Sequence, residues 1–159
     1  MSVKPAVYIE SSIIGYLASK PSRDLITAAK QQYTAEWWET KRSNYQLFVS
    51  DTVIAEISLG DSVLSAERLN KIQGISVLFS DARAETLAMR LLEANYLPRQ
   101  AVTDAIHIAT AVVQEMDYLL TWNCKHIANA ITRPKIEKFL TSAGYSCPVI
   151  CTPEELEGG

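Results

Sequence analysis

Four side chains that carry oxygen ligands follow apolar segments at separate points along the chain. Glu10 follows AVYI, Glu56 lies about one turn beyond QLFV, Asp104 opens a long apolar segment, and Asn123 closely follows YLLT. Hard cations such as Mg²⁺ and Mn²⁺ prefer oxygen ligands, and neighbouring carboxylates repel one another unless a cation neutralises them. The four residues are therefore candidate metal ligands and catalytic residues, provided that the fold brings them together.

Each of these residues also has a structural interpretation. An acid such as Glu10 or Asp104 is favoured at the start of a helix by the helix dipole. Glu56 is equally consistent with a partly exposed position on a helix surface, and Asn123 with a turn or a cap. His107, one turn beyond Asp104, is interpreted as a packed, hydrogen-bonded histidine rather than as a metal ligand. The choice between these interpretations depends on where the elements place the residues.

The elements that must position these residues alternate between short strands and helices. Apolar segments, several of them rich in β-branched or aromatic residues, predict five strands: Ala6–Ile9, Gln46–Val49, Ser76–Phe79, Tyr118–Thr121 and Val149–Cys151. Apolar residues that recur every three or four positions predict helices between them, in series that begin at Leu25, Ala84 and Ile136. This alternation indicates a Rossmann-like α/β fold, a three-layer α/β/α sandwich with a central parallel sheet. Ligands of such sheets bind beyond the carboxyl ends of the strands, where we expect the four candidates to lie.

Residues at the helix boundaries support these assignments. Ser50 or Asp51 is placed to cap the helix after the second strand, and Thr103 to cap the long apolar helix. The segment Thr152–Glu155 resembles a capping box, with Thr at the N-cap, Pro at the first helical position and Glu at the third. The helix that Thr103 opens is apolar nearly all round, so we expect it to be central and buried.

Length and composition favour one globular domain. The chain has 159 residues, of which 48% are hydrophobic and 21% charged, with a net charge of −3. These values exclude a disordered chain, and the acidic balance argues against a general nucleic-acid coat. We expect one domain over residues 1–157, with Gly158 and Gly159 as a frayed tail. Because the sequence shows neither a bilayer-crossing apolar run nor a signal peptide, we expect a cytoplasmic protein without membrane association.

The cysteines and the missing phosphate-binding motifs argue against other site chemistries. Cys124, Cys147 and Cys151 form no CxxC pair, which disfavours a structural zinc site or a disulfide framework and favours buried, reduced thiols. The sequence has no GxxxxGKS/T loop and no GxGxxG fingerprint, and no DxD motif follows the first strand. A nucleotide-binding loop and a phosphatase of the haloacid dehalogenase type are therefore not indicated.

Taken together, these segments resemble the PIN domain, and within it the VapC-like toxins of type II toxin–antitoxin systems. The resemblance extends over nearly the whole chain, through VYIESSIIGYL, SDTVIAEI, VTDAIHIATA, DYLLTWNCKHIAN and CTPEEL. It lies in their order and spacing, since Glu10, Glu56, Asp104 and Asn123 are separated by 46, 48 and 19 residues. Position by position, these four residues match the metal-binding residues of PIN domains.

The resemblance implies a function as well as a fold. PIN domains are metal-dependent ribonucleases, so this chain is expected to be a hydrolase that cleaves RNA phosphodiester bonds with water activated by Mg²⁺ or Mn²⁺. Ser11 and Thr121 match the hydroxyl residues that accompany the acids in the family. The expected partners are an RNA substrate, a cognate antitoxin protein and a second copy of this chain in a homodimer.

Two departures from the family pattern leave a second interpretation open. The first acid is commonly Asp but is Glu10 here, and the fourth is Asn123, which supplies a neutral oxygen. The site then carries a formal charge of −3 rather than −4, which weakens the binding of a second cation. The alternative function is a catalytically weak or inactive PIN-like module that binds a protein or RNA partner.

Two further groups have both a functional and a structural interpretation. Four basic residues follow the site in sequence and either grip the RNA backbone or form a solvated face: Lys125, His126, Arg133 and Lys135. Three aromatic residues favour packing in the core or in a dimer, with an exposed patch for the antitoxin as the alternative: Tyr33, Trp37 and Trp38.

Overall fold

The computed structural model describes residues 3–157, so the predicted frayed tail, Gly158 and Gly159, lies outside the described residues. Within residues 3–157, five strands form one sheet: β1 (Ala6–Ile9), β2 (Gln46–Ser50), β3 (Ser76–Leu78), β4 (Tyr118–Leu120) and β5 (Val149–Cys151). All neighbouring strands are parallel, and their order across the sheet is β3-β2-β1-β4-β5. The predicted central parallel sheet is confirmed, with strand ends that differ from the predicted ones by at most one residue.

Seven α-helices connect the strands within the same range: α1 (Ser11–Ala18), α2 (Leu25–Thr40), α3 (Asp51–Ile57), α4 (Ser62–Lys71), α5 (Ala82–Glu93), α6 (Val102–Val113) and α7 (Arg133–Ser142). Because crossover connections are right-handed, α1 to α4 cover one face of the sheet and α5 to α7 the other. The packing agrees, since α1 contacts α2, α3 and α4, whereas α5 packs along α6. The predicted three-layer α/β/α sandwich is therefore confirmed. None of the helices in residues 3–157 combines the length and apolar character needed to cross a bilayer.

The centre of the sheet is fully buried. Val7, Tyr8 and Ile9 of β1 have no exposed surface, and neither do Leu119 and Leu120 of the adjacent β4. Strands that are covered on both faces appear in the sequence as continuous apolar segments, which explains why they were predictable. The direction in which the chain adds strands reverses between β1 and β4. The carboxyl ends of these two strands therefore border the crevice where open α/β sheets bind ligands.

The helix after β2 begins as its sequence indicates, but the long apolar helix does not. Ser50 is the N-cap of α3, and its Oγ accepts a hydrogen bond from the amide of Val53 at 3.1 Å. By contrast, α6 begins at Val102 with Ala101 as its N-cap, so the prediction that Thr103 caps this helix is wrong. A turn precedes this helix, in which the amide of Ala101 donates to the carbonyl of Pro98 at 2.9 Å. The turn starts the helix at Val102, before Thr103.

Other differences concern exposed parts of the chain. Helix α4 has no counterpart among the predicted elements, because none of its residues is buried. Thr152 and Glu155 exchange the two hydrogen bonds of a capping box, yet residues 153–155 form only a single turn. The prediction of a buried thiol is correct for Cys151 and wrong for Cys124, which is exposed in the turn that follows β4. Cys147 is half-buried.

Candidate metal centre

Glu10 lies at the crevice between β1 and β4, directly after the last residue of β1. Its amide donates to the carbonyl of Leu120 at 3.0 Å, which fixes the residue at the carboxyl edge of the sheet. The side chain is nearly buried, and its Oε1 accepts hydrogen bonds from the hydroxyls of Ser12 and Thr121 at 2.5 and 2.6 Å. Although Glu10 is the N-cap residue of α1, its carboxylate makes no capping hydrogen bond. Neutral hydroxyls, rather than the helix end, hold this carboxylate in place.

Glu56 reaches the same crevice from α3, about one turn beyond the carboxyl end of β2. Its Oε1 accepts hydrogen bonds from Ser11 Oγ at 2.6 Å and from His107 Nε2 at 2.5 Å. Burial by itself raises the pKa of this carboxyl, but the hydrogen bond and charge of His107, together with the Ser11 hydroxyl, outweigh burial and hold the pKa below its usual range. The Glu56 side chain keeps 36% of its surface exposed. It is therefore an ionised group at the mouth of the crevice.

His107 lies between the two carboxylates and the core, and its side chain is fully buried. Its Nε2 lies 2.5 Å from Glu56 Oε1 and 4.0 Å from Glu10 Oε2, and its Nδ1 lies 2.6 Å from the hydroxyl of Tyr8. Burial lowers the pKa of the imidazole, but the hydrogen bond to Glu56 and the charges of Glu10, Glu56 and Asp104 outweigh burial and raise the pKa above its usual value. The interpretation of His107 as a packed, hydrogen-bonded histidine is confirmed.

The donor atoms of Glu10, Glu56 and His107 are close enough to surround one ion. One ligand atom from each residue lies within 4.8 Å of the other two. Among residues 3–157, no lysine or arginine nitrogen lies within 4.0 Å of the carboxylate of Glu10 or Glu56, and the imidazole of His107 is their basic neighbour. A buried carboxylate such as Glu10 is costly without a cation nearby. This set of donors therefore fits a divalent metal ion.

Asp104 and Asn123 lie beside this group, and His126 contacts both. Asp104 comes from the first turn of α6, and its Oδ2 lies 2.8 Å from His126 Nδ1. Asn123 follows β4, and its Oδ1 accepts a hydrogen bond from the amide of His126 at 3.1 Å. Asn123 therefore caps a turn, as its structural interpretation predicts. Its carbonyl oxygen retains a second lone pair that can bind a metal ion. Asp104 is not part of the group of three closely spaced ligand atoms.

The basic residues that follow the site have different surroundings. Arg133 donates to the carbonyl of Ile150 at 3.0 Å, so its guanidinium is tied to β5. Lys125 and Lys135 are exposed, whereas His126 is half-buried against the acid of α6. Of the four, His126 contacts the candidate ligands directly and Arg133 has a structural role.

The tryptophans of α2 belong to the core. Trp37 and Trp38 are 2% and 8% exposed, and the indole N–H of Trp37 donates to the carbonyl of Leu156 at 3.0 Å. Packing in the core is therefore confirmed for both, and they form no exposed aromatic patch. The exposed large apolar residues of α2 are instead Leu25 and Ile26 in its first turn.

Two polar residues of the site were not singled out from the sequence. Ser12 Oγ donates to Glu10 and accepts the amide N–H of Trp122 at 2.8 Å, which links α1 to the segment after β4. The hydroxyl of Tyr8 lies 2.7 Å from Ser50 Oγ in addition to its contact with the imidazole. A signal for Tyr8 was available, because a phenol in the middle of a buried strand needs a polar partner.

Comparison with known proteins finds similar structures but no similar sequence. The chain is similar to a chain in the structure of VapBC2 from Rickettsia felis bound to a DNA fragment from their promoter, with 13% identity, a TM-score of 0.59 and coverage of 92% of this chain and 98% of that one. It is also similar to VapC20 of Mycobacterium tuberculosis, a toxin that cleaves the sarcin–ricin loop, with 14% identity, a TM-score of 0.57 and coverage of 78% and 95%. No protein-family model matches the sequence, and no curated protein matches it significantly. At this level of identity the likeness shows the fold, so the resemblance to VapC-like PIN domains is confirmed for the architecture.

Proposed function

We propose that this protein is a metal-dependent endoribonuclease and the toxin of a type II toxin–antitoxin pair. The observation that carries the proposal is the buried carboxylate of Glu10 at the switch point of a PIN-like sheet. It lies beside Glu56 and His107, and no lysine or arginine in the described residues neutralises it. VapC20, which shares the fold, cleaves the sarcin–ricin loop.

The roles of the residues follow from their positions. Glu10, Asp104 and Asn123 would hold Mg²⁺ or Mn²⁺, with Glu56 beside them. When bound, the ion activates water for attack on the scissile phosphate and stabilises the charge that develops there. Glu56 is ionised and partly exposed, so it is placed to orient the attacking water or to accept its proton. Thr121 keeps Glu10 in a fixed orientation. Hydrolysis then leaves a 5′-phosphate and a 3′-hydroxyl.

The proposal includes partners for the protein. The Rickettsia felis structure is of VapBC2, and we accordingly expect this chain to bind an antitoxin and to form a homodimer in the cytoplasm. Leu25 and Ile26 are 85% and 70% exposed and give α2 an apolar surface that a partner protein would cover. Co-expression with the product of an adjacent gene for a small DNA-binding protein, followed by size-exclusion chromatography, tests this part of the proposal.

Cleavage of RNA by the purified protein, with and without Mg²⁺ or Mn²⁺, tests the activity. We expect cleavage that requires the ion, stops on addition of a chelator and leaves 5′-phosphate ends. Glu10→Gln and Asp104→Asn should each lower the cleavage rate at least about 100-fold, which corresponds to about 2.7 kcal/mol of transition-state stabilisation. Circular dichroism shows whether the two variants remain folded.

Asp117→Asn is the matched control. Asp117 lies at the opposite, amino edge of the sheet, where its Oδ2 accepts the amide N–H of Ala6 at 2.8 Å, and an asparagine carbonyl can keep this hydrogen bond. This variant should cleave RNA at the wild-type rate. A wild-type protein that binds Mn²⁺ and RNA but cleaves none of a broad set of RNAs would instead support the PIN-like binding module.

A further inference from the structure

His107 is buried at the crevice but has no part in the mechanism above. Its side chain has no exposed surface, and both ring nitrogens have polar partners. Packing and hydrogen bonds therefore hold the ring in one orientation. Nδ1 and Nε2 therefore each face a defined set of neighbours.

The Nδ1 atom of His107 contacts Tyr8 rather than a carboxylate. The Tyr8 hydroxyl lies 2.6 Å from Nδ1 and 2.7 Å from Ser50 Oγ. Burial raises the pKa of Tyr8 far above its usual value, so the phenol keeps its single proton. When that proton is donated to Ser50, the phenol oxygen accepts the Nδ1–H of His107. Histidines that bind metals through Nε2 are oriented by a hydrogen bond of this kind at Nδ1.

The Nε2 atom of His107 is directed at the two carboxylates. It lies 4.0 Å from Glu10 Oε2 and 2.5 Å from Glu56 Oε1. Two ligands of one ion lie about 3 to 4 Å apart when each is about 2.1 Å from the metal, so Glu10 and His107 have a suitable separation. A proton lies between Nε2 and Glu56 Oε1 in this hydrogen bond. Both atoms can also bind a metal ion, which would take the place of that proton.

We propose that His107 Nε2 is a direct ligand of the ion that Glu10 holds beside Glu56, and that this nitrogen makes the site prefer Mn²⁺ to Mg²⁺. The inference rests on the proposed metal site and adds a ligand to it. Imidazole nitrogen binds first-row transition metals well, whereas Mg²⁺ prefers oxygen. The ion replaces the Nε2 proton, which passes to solvent, while Nδ1 keeps its proton and its hydrogen bond to Tyr8.

Pulsed electron paramagnetic resonance of the Mn²⁺-loaded protein tests the proposed ligand, because the spectrum resolves coupling to a directly bound nitrogen nucleus. The chain has only 2 histidines, so the variant His126→Gln retains His107 alone. We expect nitrogen coupling in the wild type and in His126→Gln, and a changed coupling when histidine is labelled with ¹⁵N. His107→Gln should lose the coupling.

The possible results separate this inference from the proposed function. Mn²⁺ binding without nitrogen coupling in the wild type would overturn the inference and leave the carboxylate site standing. No binding of Mn²⁺ at all would overturn both. Neither result depends on whether His107→Gln folds, because the wild type and His126→Gln both retain His107.

Calorimetric titration with Mn²⁺ and with Mg²⁺ tests the preference between the ions. Tyr8→Phe removes the phenol that orients Nδ1, and we expect it to lower the affinity for Mn²⁺ about 10-fold or more and that for Mg²⁺ much less. Tyr45→Phe, which removes the hydroxyl of a tyrosine whose ring stacks on Trp37, should change neither affinity. An equal loss of affinity for both ions in Tyr8→Phe would contradict the proposed preference.

Discussion

Two buried threonines differ in what their hydroxyls contact. Thr121 Oγ1 donates to Glu10 at 2.6 Å and accepts the amide N–H of Asn123 at 2.9 Å. Thr110 in α6 is equally buried, but its hydroxyl has no hydrogen-bond partner within residues 3–157. A buried polar group that is left without a partner costs about 1–3 kcal/mol. The two hydroxyls are therefore expected to contribute to stability with opposite signs.

Replacing each threonine with valine tests this difference. Thr121→Val should lower the free energy of unfolding by about 1–3 kcal/mol, because it removes a donor from Glu10 and leaves the amide of Asn123 without its acceptor. Thr110→Val should leave the free energy unchanged or raise it, because the new methyl group needs no partner. Urea denaturation of the two variants measures both effects. Equal destabilisation by the two substitutions would contradict the hydrogen-bond assignments.

At the scale of single residues, the positions of the acids were predictable but their partners were not. Glu10 and Glu56 closely follow parallel strands, and such strands end at the same edge of a sheet, so their placement follows from the strand predictions. Which histidine meets which acid depends on tertiary packing. Glu56 is paired with His107, 51 residues away in sequence, while His126 is paired with Asp104. No local pattern carries that information.

At the scale of the elements, α5, α6 and α7 end with the same backbone geometry but with different residues. The residue after each C-cap has a positive φ, namely 62° at Asn95, 58° at Glu115 and 88° at Gly144. At the end of α6, the amide of Met116 donates to the carbonyl of Ala111 at 2.9 Å, as in a Schellman motif. Glycine adopts the left-handed conformation without steric cost, whereas glutamate does not. Glu115 therefore strains the end of α6.

Glu115→Gly should raise the free energy of unfolding by about 1 kcal/mol, because it relieves the left-handed strain and the exposed glutamate side chain has no role in the core. Gly144→Ala is the matched substitution and should lower the free energy of unfolding, because it introduces a Cβ at a residue with a φ of 88°. An added Cβ at Gly144 meets no atom within 4 Å, so its cost is that of the backbone alone. Thermal denaturation of both variants measures the two effects. A lower melting temperature for Glu115→Gly would contradict the assigned strain.

The bounds of the strands were predicted accurately both at the centre of the sheet and at its edge. β1 and β5 have their predicted bounds, Ala6–Ile9 and Val149–Cys151. The periodic series of α2, however, also includes Leu25 and Ile26, which are exposed, because the helix packs on the core through its second half around Trp37. A periodic pattern identifies the apolar face of a helix but not the part of that face that a neighbouring element covers.

At the scale of the whole molecule, the fold collects both histidines and three acids at one end of the sheet. His107 lies with Glu10 and Glu56, and His126 lies with Asp104. These are the 2 histidines of the chain. Because histidine is the side chain that ordinarily titrates between about pH 5 and 8, the pH dependence of stability in this range reports mainly on the candidate site.

The pKa shifts of the buried pair predict the shape of that dependence when a chelator removes divalent ions. His107 faces Glu10 directly after β1, Glu56 of α3, Asp104 of its own helix and the neutral Tyr8. Its pKa is raised from 6.5 by folding, so its stabilisation is complete below pH 6.5 and is lost as the pH rises through the raised value. The pKa of Glu56 is lowered from 4.5, so the stabilisation is also lost as the pH falls below 4.5 through the lowered value. The interaction between Glu56 and His107 contributes to both shifts and is counted once.

We therefore expect the free energy of unfolding in chelator to be greatest between pH 4.5 and 6.5 and to fall at higher pH. Urea denaturation at a series of pH values measures this profile. Glu56→Gln should flatten the fall above pH 6.5 without abolishing it, because Glu10 and Asp104 still raise the pKa of His107. Asp117→Asn, at the other edge of the sheet, should follow the wild-type profile. A wild-type profile that is level above pH 6.5 would show that His107 is neutral in the folded protein, and hence that the two carboxylates have no cationic partner there.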